Sequence, residues 1–362
     1  MIETDLTSSR SEGLTNGVRD CDFLNACHGR MVRRRPIWIM RQAGRYQASY
    51  RAVRQKYTFE QVCHTPELIA QVTTAPITEF DLDAAIIFSD ILVVLPPMGV
   101  PVSFDDGGPR LASPIRTADD LSALKKLDVD RGLKYVSDGI RQSRTALPAN
   151  IPLIGFSGAP FTLACYAIEG TTSREFALAR RLFHENPKLA HKLMTHLSGA
   201  VADYLSAQIE AGVDAVQLFD SWGGLLSSED YRHWVLPHMQ EIVLRIKRTN
   251  VPVILYVSST THLLDVIAEA GFDVVSVDWR TELNGAAHHL SHAKAIQGNL
   301  DPLAMFSDVE TIAKHARRIM TTMDMTNKGH IFNLGHGILP TTPEESLRVL
   351  VQTVHGTPPR II

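Results

Sequence analysis

AVQLFDSWGG, residues 215–224, opens as a strand and ends as a turn. Its first half is nearly continuous in apolar residues instead of alternating. That marks a strand covered on both faces, as in a parallel sheet. Phe219, Asp220 and Ser221 come to the strand end, and Gly223 and Gly224 follow. A serine at such a turn serves as a helix cap or as a ligand to something bound there.

The same design recurs along the chain. PIWIM (36–40), AAIIFSD (84–90), IPLIGFS (151–157), VPVILYV (251–257), DVVSVDW (273–279), AIQGN (295–299) and HIFNLG (330–335) bring the strand-like runs to eight. Between them lie amphipathic helical patterns. TPELIAQVTTAPITEF (65–80) starts with a threonine cap and a proline in the first turn. Residues 186–212 keep helical spacing up to a terminal glycine. Residues 227–248 and 301–320 look similar, with Pro237 placed to kink the first of these two.

Eight such units predict an α/β protein with one (β/α)8 TIM barrel over residues 23–362. An open doubly wound sheet is the alternative, but no G-x-G-x-x-G follows the first strand. VLPPMGVPVSFDDGGPRLASP (94–114) reads as a hairpin insertion after the second strand. Residues 1–22, polar and without an apolar signal core, read as a mobile tail.

Composition narrows the function. The 362 residues are 44% hydrophobic and 21% charged, with a net charge of -3. No global field draws nucleic acid or an anionic membrane, so an anionic ligand would need a local positive patch. No run of 18 apolar residues predicts a membrane span. Four cysteines without a C-x-x-C pair suit a reducing, cytoplasmic setting.

In a barrel the chemistry gathers where strands end and βα loops begin. The polar residues there are Arg41, Asp90, Ser157, Asp220, Ser221, Ser258, Asp278, Asn299 and His336. MRQAGRY (40–46) follows the first strand and aims Arg41 and Arg45 at one place across Gly44. Guanidinium forks bind carboxylates or phosphates through paired hydrogen bonds. Arg33, Arg34 and Arg35 just upstream read as a solvated stretch. Asp90 lies between AAIIF and ILVVL, where a carboxylate needs a partner. It forms either a structural ion pair or an acceptor that steadies positive charge.

Ser157 lies in G-F-S-G-A, not in a hydrolase elbow. Tyr166 rides the helix that follows, as a core or a site residue. His336 sits between two glycines after the last strand, with an ordinary pKa range suited to acid–base work. His288, His289 and His292 lack a partnering carboxylate at zinc-protease spacing and read as surface histidines. No metal or organic cofactor is expected.

Together PIWIMRQAGRYQASYR, AAIIFSDIL, GFSGAPFTLACYAIEG, LFDSW, QGNLDP and NLGHGI, in this order over residues 23–356, resemble the uroporphyrinogen decarboxylase family. The resemblance implies a (β/α)8 barrel that binds uroporphyrinogen, a cyclic tetrapyrrole with eight carboxylates. It implies cofactor-free loss of CO2 from four acetate arms. It places Arg41, Gln42, Ala43, Gly44, Arg45, Asp90, Tyr166, Phe219, Ser221 and His336 at the substrate, with Arg41 and Asp90 catalytic. It also implies a homodimer. The chain departs from the family in YVSSTTHLL (256–264), where a glycine-bearing loop is usual.

Three rivals remain. A corrinoid-to-thiol methyltransferase on zinc would need a cysteine that this chain lacks after Cys165. A tetrapyrrole carrier would not require Asp90. A nucleic-acid binder on residues 33–56 would show steep salt dependence.

Overall fold

The computed structural model describes residues 21–105, 107–246 and 250–359. Residues 1–20 of the expected tail lie outside the described residues. Cys21 and Asp22 already belong to the fold, Cys21 buried and Asp22 opening the helix Asp22–Cys27.

Seven of the eight apolar runs pair in one parallel sheet. Its strands are β1 (Ala85–Ile86), β4 (Leu153–Gly158), β5 (Ala215–Asp220), β6 (Val253–Val257), β7 (Val274–Ser276), β8 (Ala295–Gln297) and β9 (Gly329–Ile331), neighbours in that order. Every described residue of β4, β5 and β6 is buried, as continuous apolar runs require.

The eighth position is filled by residues 36–40, which meet the sheet through a single parallel bridge, Ile37 to Phe332. The Phe332 N–H donates to the Pro36 carbonyl at 2.8 Å, and the Asp83 N–H donates to the Ile37 carbonyl at 2.9 Å. This segment therefore closes the barrel between β9 and β1. It is not the regular strand that the sequence suggests, because side chains take three of its backbone donors. Ile37, Ile39 and Met40 donate to Asp83 Oδ2, Gln42 Oε1 and Asn333 Oδ1 at 2.8, 3.2 and 2.9 Å. Pro36 has no N–H to give.

The insertion is a two-stranded antiparallel hairpin, β2 (Val102–Asp105) with β3 (Gly108–Leu111). The expected helices are present as Pro66–Phe80 and Pro187–Ala211, the latter ended by Gly212 at φ 115°. The third pattern breaks into Ser228–Trp234 and Leu236–Ile246, just before Pro237. The fourth is not one helix. A 3-10 turn, Pro302–Phe306, precedes Val309–Asp324, because the Asp308 carboxylate caps a new start at the Thr311 N–H, 2.8 Å away.

Two features of the interior bear on the site. Inside the barrel, the Trp38 indole N–H donates to Gln297, whose amide donates to Gln217, at 2.8 and 3.1 Å. This ties the closing segment to β8 and β5. Below, the three arginines are not one solvated stretch. Arg33 is exposed, Arg34 pairs with Asp83 at 2.6 Å, and Arg35 is buried against Asp324. Carboxylates distant in sequence supply these pairs. Among the described residues, no helix is long and apolar enough to cross a membrane.

Candidate active site

Arg41 stands at the carboxyl end of the closing segment. The Gln42 N–H returns to the Ile39 carbonyl at 2.8 Å, making a tight turn with Met40 and Arg41 at its centre. Arg41 adopts φ 64°, a left-handed conformation where glycine is the ordinary choice. A strained backbone at a charged side chain points to function. Gln42 is buried, and its amide donates to the Ala84 carbonyl at 3.2 Å while accepting from Ile39. Its side chain thus latches the turn to β1 and is taken up inside the protein. Ala43 and Gly44 are half-buried. Arg45 is exposed, and its charge acts on Tyr50.

Asp90 lies on the turn after β1. Its Oδ1 accepts the Leu92 N–H at 2.7 Å. Gly158 allows the approach of β4 here, since a Cβ on it would lie 2.7 Å from the Ile91 carbonyl oxygen. Burial raises the carboxyl to about 6, against the pull of the Leu92 N–H and the Arg41 charge. No ion pair within 4 Å ties Asp90 down among the described residues, which separates it from a structural salt bridge.

The Arg41 charge also acts on Tyr256 and His336, and the Asp90 charge acts on Tyr166. The structure thus brings Arg41, Asp90, Tyr166 and His336 to one mouth. Burial, then Arg41, lowers His336 to about 4. The ring is neutral at neutral pH, so the ordinary range expected for it does not hold. Tyr166 is buried edge-on to Phe176, at 5.3 Å between ring centres.

A run of rings lines the mouth. Phe156 meets Phe219 at 5.5 Å, Phe219 meets Tyr256 at 6.0 Å, Tyr256 meets His336 at 6.2 Å, and His336 meets Trp279 at 6.3 Å. These come from β4, β5, β6, the turn after β9 and the turn after β7. They give a dry wall that strengthens polar contacts within it.

Ser221 is half-buried at the end of β5. The turn that carries it is held from behind by Asp220, a fully buried residue whose Oδ1 accepts the Thr162 hydroxyl at 2.8 Å. Other strand-end residues serve as scaffolding. Ser157 donates to the Gly158 carbonyl, and Asn299 donates to the carbonyls of Asp278 and Thr281. In the glycine-free loop, Ser259 takes φ 58° and donates its N–H to Asp278 Oδ2 at 3.0 Å. A serine thus holds the conformation a glycine would give, steadied by a buried carboxylate.

Sequence reasoning missed Tyr256, Phe156 and Thr162, whose partners lie on other strands, and Arg280. Arg280 lies two residues beyond Asp278, in the turn after β7, and could have been found there. Among the described residues, no three His, Cys, Asp or Glu group to hold a metal, and all four cysteines are free and buried. His289 pairs with Asp265 at 2.6 Å on the surface.

The family model described as Uroporphyrinogen decarboxylase (URO-D) matches residues 19–357. A uroporphyrinogen decarboxylase of Syntrophotalea carbinolica is 45% identical over 336 residues, covering 93% of this chain and 97% of that one. One from Chloroflexus aggregans is 46% identical over 341 residues, covering 93% and 95%. Among solved structures, a methyltransferase from Methanosarcina mazei superposes with a TM-score of 0.74 at 18% identity, over 92% of this chain and 97% of that one. That last likeness speaks for the barrel fold alone.

Proposed function

The chain belongs to the uroporphyrinogen decarboxylase family, and from that premise we propose that its barrel mouth converts uroporphyrinogen III to coproporphyrinogen III. Four acetate arms each lose CO2 and become methyl groups. The observation that carries the reading is Arg41, held at φ 64° beside a half-buried Asp90 that no cation within 4 Å neutralises among the described residues. An exposed guanidinium presented from this turn suits a substrate carboxylate.

The geometry supports a division of labour. Arg41 takes a carboxylate, with Arg45 on the same turn available to a second. Phe156, Phe219 and Tyr256 offer a dry face to the macrocycle. Tyr166, Ser221 and neutral His336 offer hydrogen bonds around it.

Losing CO2 from an acetate arm requires a place for the electrons of the breaking C–C bond. Protonating the ring carbon next to the one that bears the arm makes the ring cationic and supplies that place. As CO2 leaves, the pair moves into the ring and an exocyclic methylene remains. Adding a proton to the methylene and removing one from the ring gives the methyl, so one proton is consumed for each CO2. Ionised Asp90, accepting the pyrrole N–H groups, steadies the cation as it forms. Its raised pKa of about 6 still leaves it mostly charged at neutral pH. At about 4, His336 is too little protonated there to act as the acid.

The family resemblance further supports a cytoplasmic homodimer. Leu303, Phe306 and Val309, exposed on the segment leaving the carboxyl end of β8, offer apolar surface for pairing. Sedimentation of the purified chain tests this.

The direct test is anaerobic incubation of metal-stripped protein with uroporphyrinogen III, with products separated by carboxylate number. A ladder from eight to four carboxylates in the wild type, lost in Asp90→Ala, supports the reading. Unchanged substrate with the wild type overturns it.

A further inference from the structure

We infer that Arg280 is a carboxylate-binding residue of the mouth, gripping an acidic arm of the tetrapyrrole with the N–H groups that Asp278 leaves unused. The inference rests on the uroporphyrinogen reading of the site.

Arg280 is fixed from two sides. One nitrogen donates to Asp278 Oδ2 at 2.7 Å, and the guanidinium carbon stands 3.8 Å over the Trp279 ring. Ion pairing and stacking together orient the planar fork at small entropic cost. The side chain nevertheless remains 53% exposed.

Neutralising Asp278 does not account for this arrangement. That carboxylate is fully buried and already accepts the Ser259 N–H at 3.0 Å and the Thr281 hydroxyl at 3.1 Å. An arginine kept only to satisfy it would have no need of a platform. Asp278 uses one edge of the guanidinium, and the fork carries more donors than that edge.

The platform itself belongs to the mouth. The Trp279 ring stands 6.3 Å from that of His336. Its backbone packs so tightly under Gly335 that a Cβ there would lie 2.9 Å from Trp279 Cα. Turns after β7 and β9 are thereby locked together. The Arg280 charge acts on His336 and Tyr256, the same two groups that feel Arg41. Two guanidinium groups, one from the closing segment and one from the turn after β7, thus act on a single imidazole. A substrate with carboxylates around its whole perimeter would meet a cation on each flank.

Steady-state anaerobic kinetics of the full chain with uroporphyrinogen III tests this, using wild type, Arg280→Gln and Arg280→Lys at low and high salt. The expected result for Arg280→Gln is a KM raised about three- to tenfold with kcat held. Its kcat/KM should also depend less steeply on salt, and Arg280→Lys should recover part of the loss. An unchanged KM in Arg280→Gln beside an active wild type overturns the inference. So does a loss confined to kcat and melting temperature, which would make Arg280 a support for Asp278. If Arg280→Gln does not fold, Arg280→Lys decides, since it keeps the charge without the fork. A raised KM at steady kcat then supports the inference, and an unchanged KM overturns it. A wild type that leaves uroporphyrinogen untouched overturns the underlying reading and this inference with it.

Discussion

Gly337 lies so close beneath the side chain of Arg41 that a Cβ on it would stand 2.9 Å from both Cγ and Nε of the arginine. The last turn of the barrel therefore sets where the guanidinium of the first segment points. Gly337→Ala is expected to displace Arg41 and lower kcat/KM by about a hundredfold, the penalty for misplacing a binding group by about 1 Å. The fold should persist, since Gly337 does not have positive φ. Turnover measured beside circular dichroism checks both halves.

Arg41 holds a left-handed backbone that costs a non-glycine residue on the order of 1 kcal/mol. Arg41→Gly removes that strain together with the guanidinium. Denaturant unfolding should place the variant within about 1 kcal/mol of wild type, because glycine's greater freedom in the unfolded chain offsets the relief. Substrate turnover should disappear. A large loss of stability would mean that the arginine serves the fold.

Asp90 separates function from stability in a pH-dependent way. Its carboxyl titrates at about 6 in the folded chain against 3.8 as the ordinary value. Between those pH values the native state keeps a proton that the unfolded state has lost. Stability therefore falls as pH rises through the window, and the deficit persists above it. Asp90→Asn keeps an acceptor for the Leu92 N–H but cannot ionise. It should match wild type below about pH 4 and exceed it by on the order of 2 kcal/mol at pH 7.5. Activity should be lost at every pH. Unfolding curves at the two pH values decide the matter.

His336 titrates at about 4, below its ordinary 6.5, because burial and Arg41 disfavour the imidazolium. Here the unfolded state binds the extra proton, so this residue's contribution to stability is lost as pH falls from 6.5 toward 4. The ring's NMR signals should stay flat from pH 8 to about 5.5 and move only near 4. In Arg41→Gly the midpoint should rise, since a cation acting on the ring has gone. A wild-type midpoint near 6.5 would contradict the geometry.

Much of this is legible in the sequence, and the omissions share a physical cause. Continuous apolar runs such as VILYV announce β6, and proline and glycine between 94 and 114 announce the hairpin. Both signals are local. Arg41 and Asp90 could be read because polar residues closing apolar runs stand out. Gln42 could not be assigned that way, since its amide bonds to Ala84, just before the neighbouring strand. Arg35 looked like its exposed neighbour Arg33 because its partner Asp324 lies 289 residues away. The closing segment read as a strand because its apolar pattern is that of one. What diverts its ladder are side chains of Asp83 and Asn333, visible only once the barrel is closed.

That closure joins segments far apart in the chain. Residues 36–40 find their supports at Phe332 and Asn333, and Arg41 finds its own at Gly337, all just after β9. Contacts this distant in sequence cannot form until the last strand, β9, and the turn after it have been made. An abandoned nascent chain, however well its early helices fold, cannot orient Arg41. Prematurely terminated copies would be silent toward substrate, so activity itself certifies that translation reached the final strand.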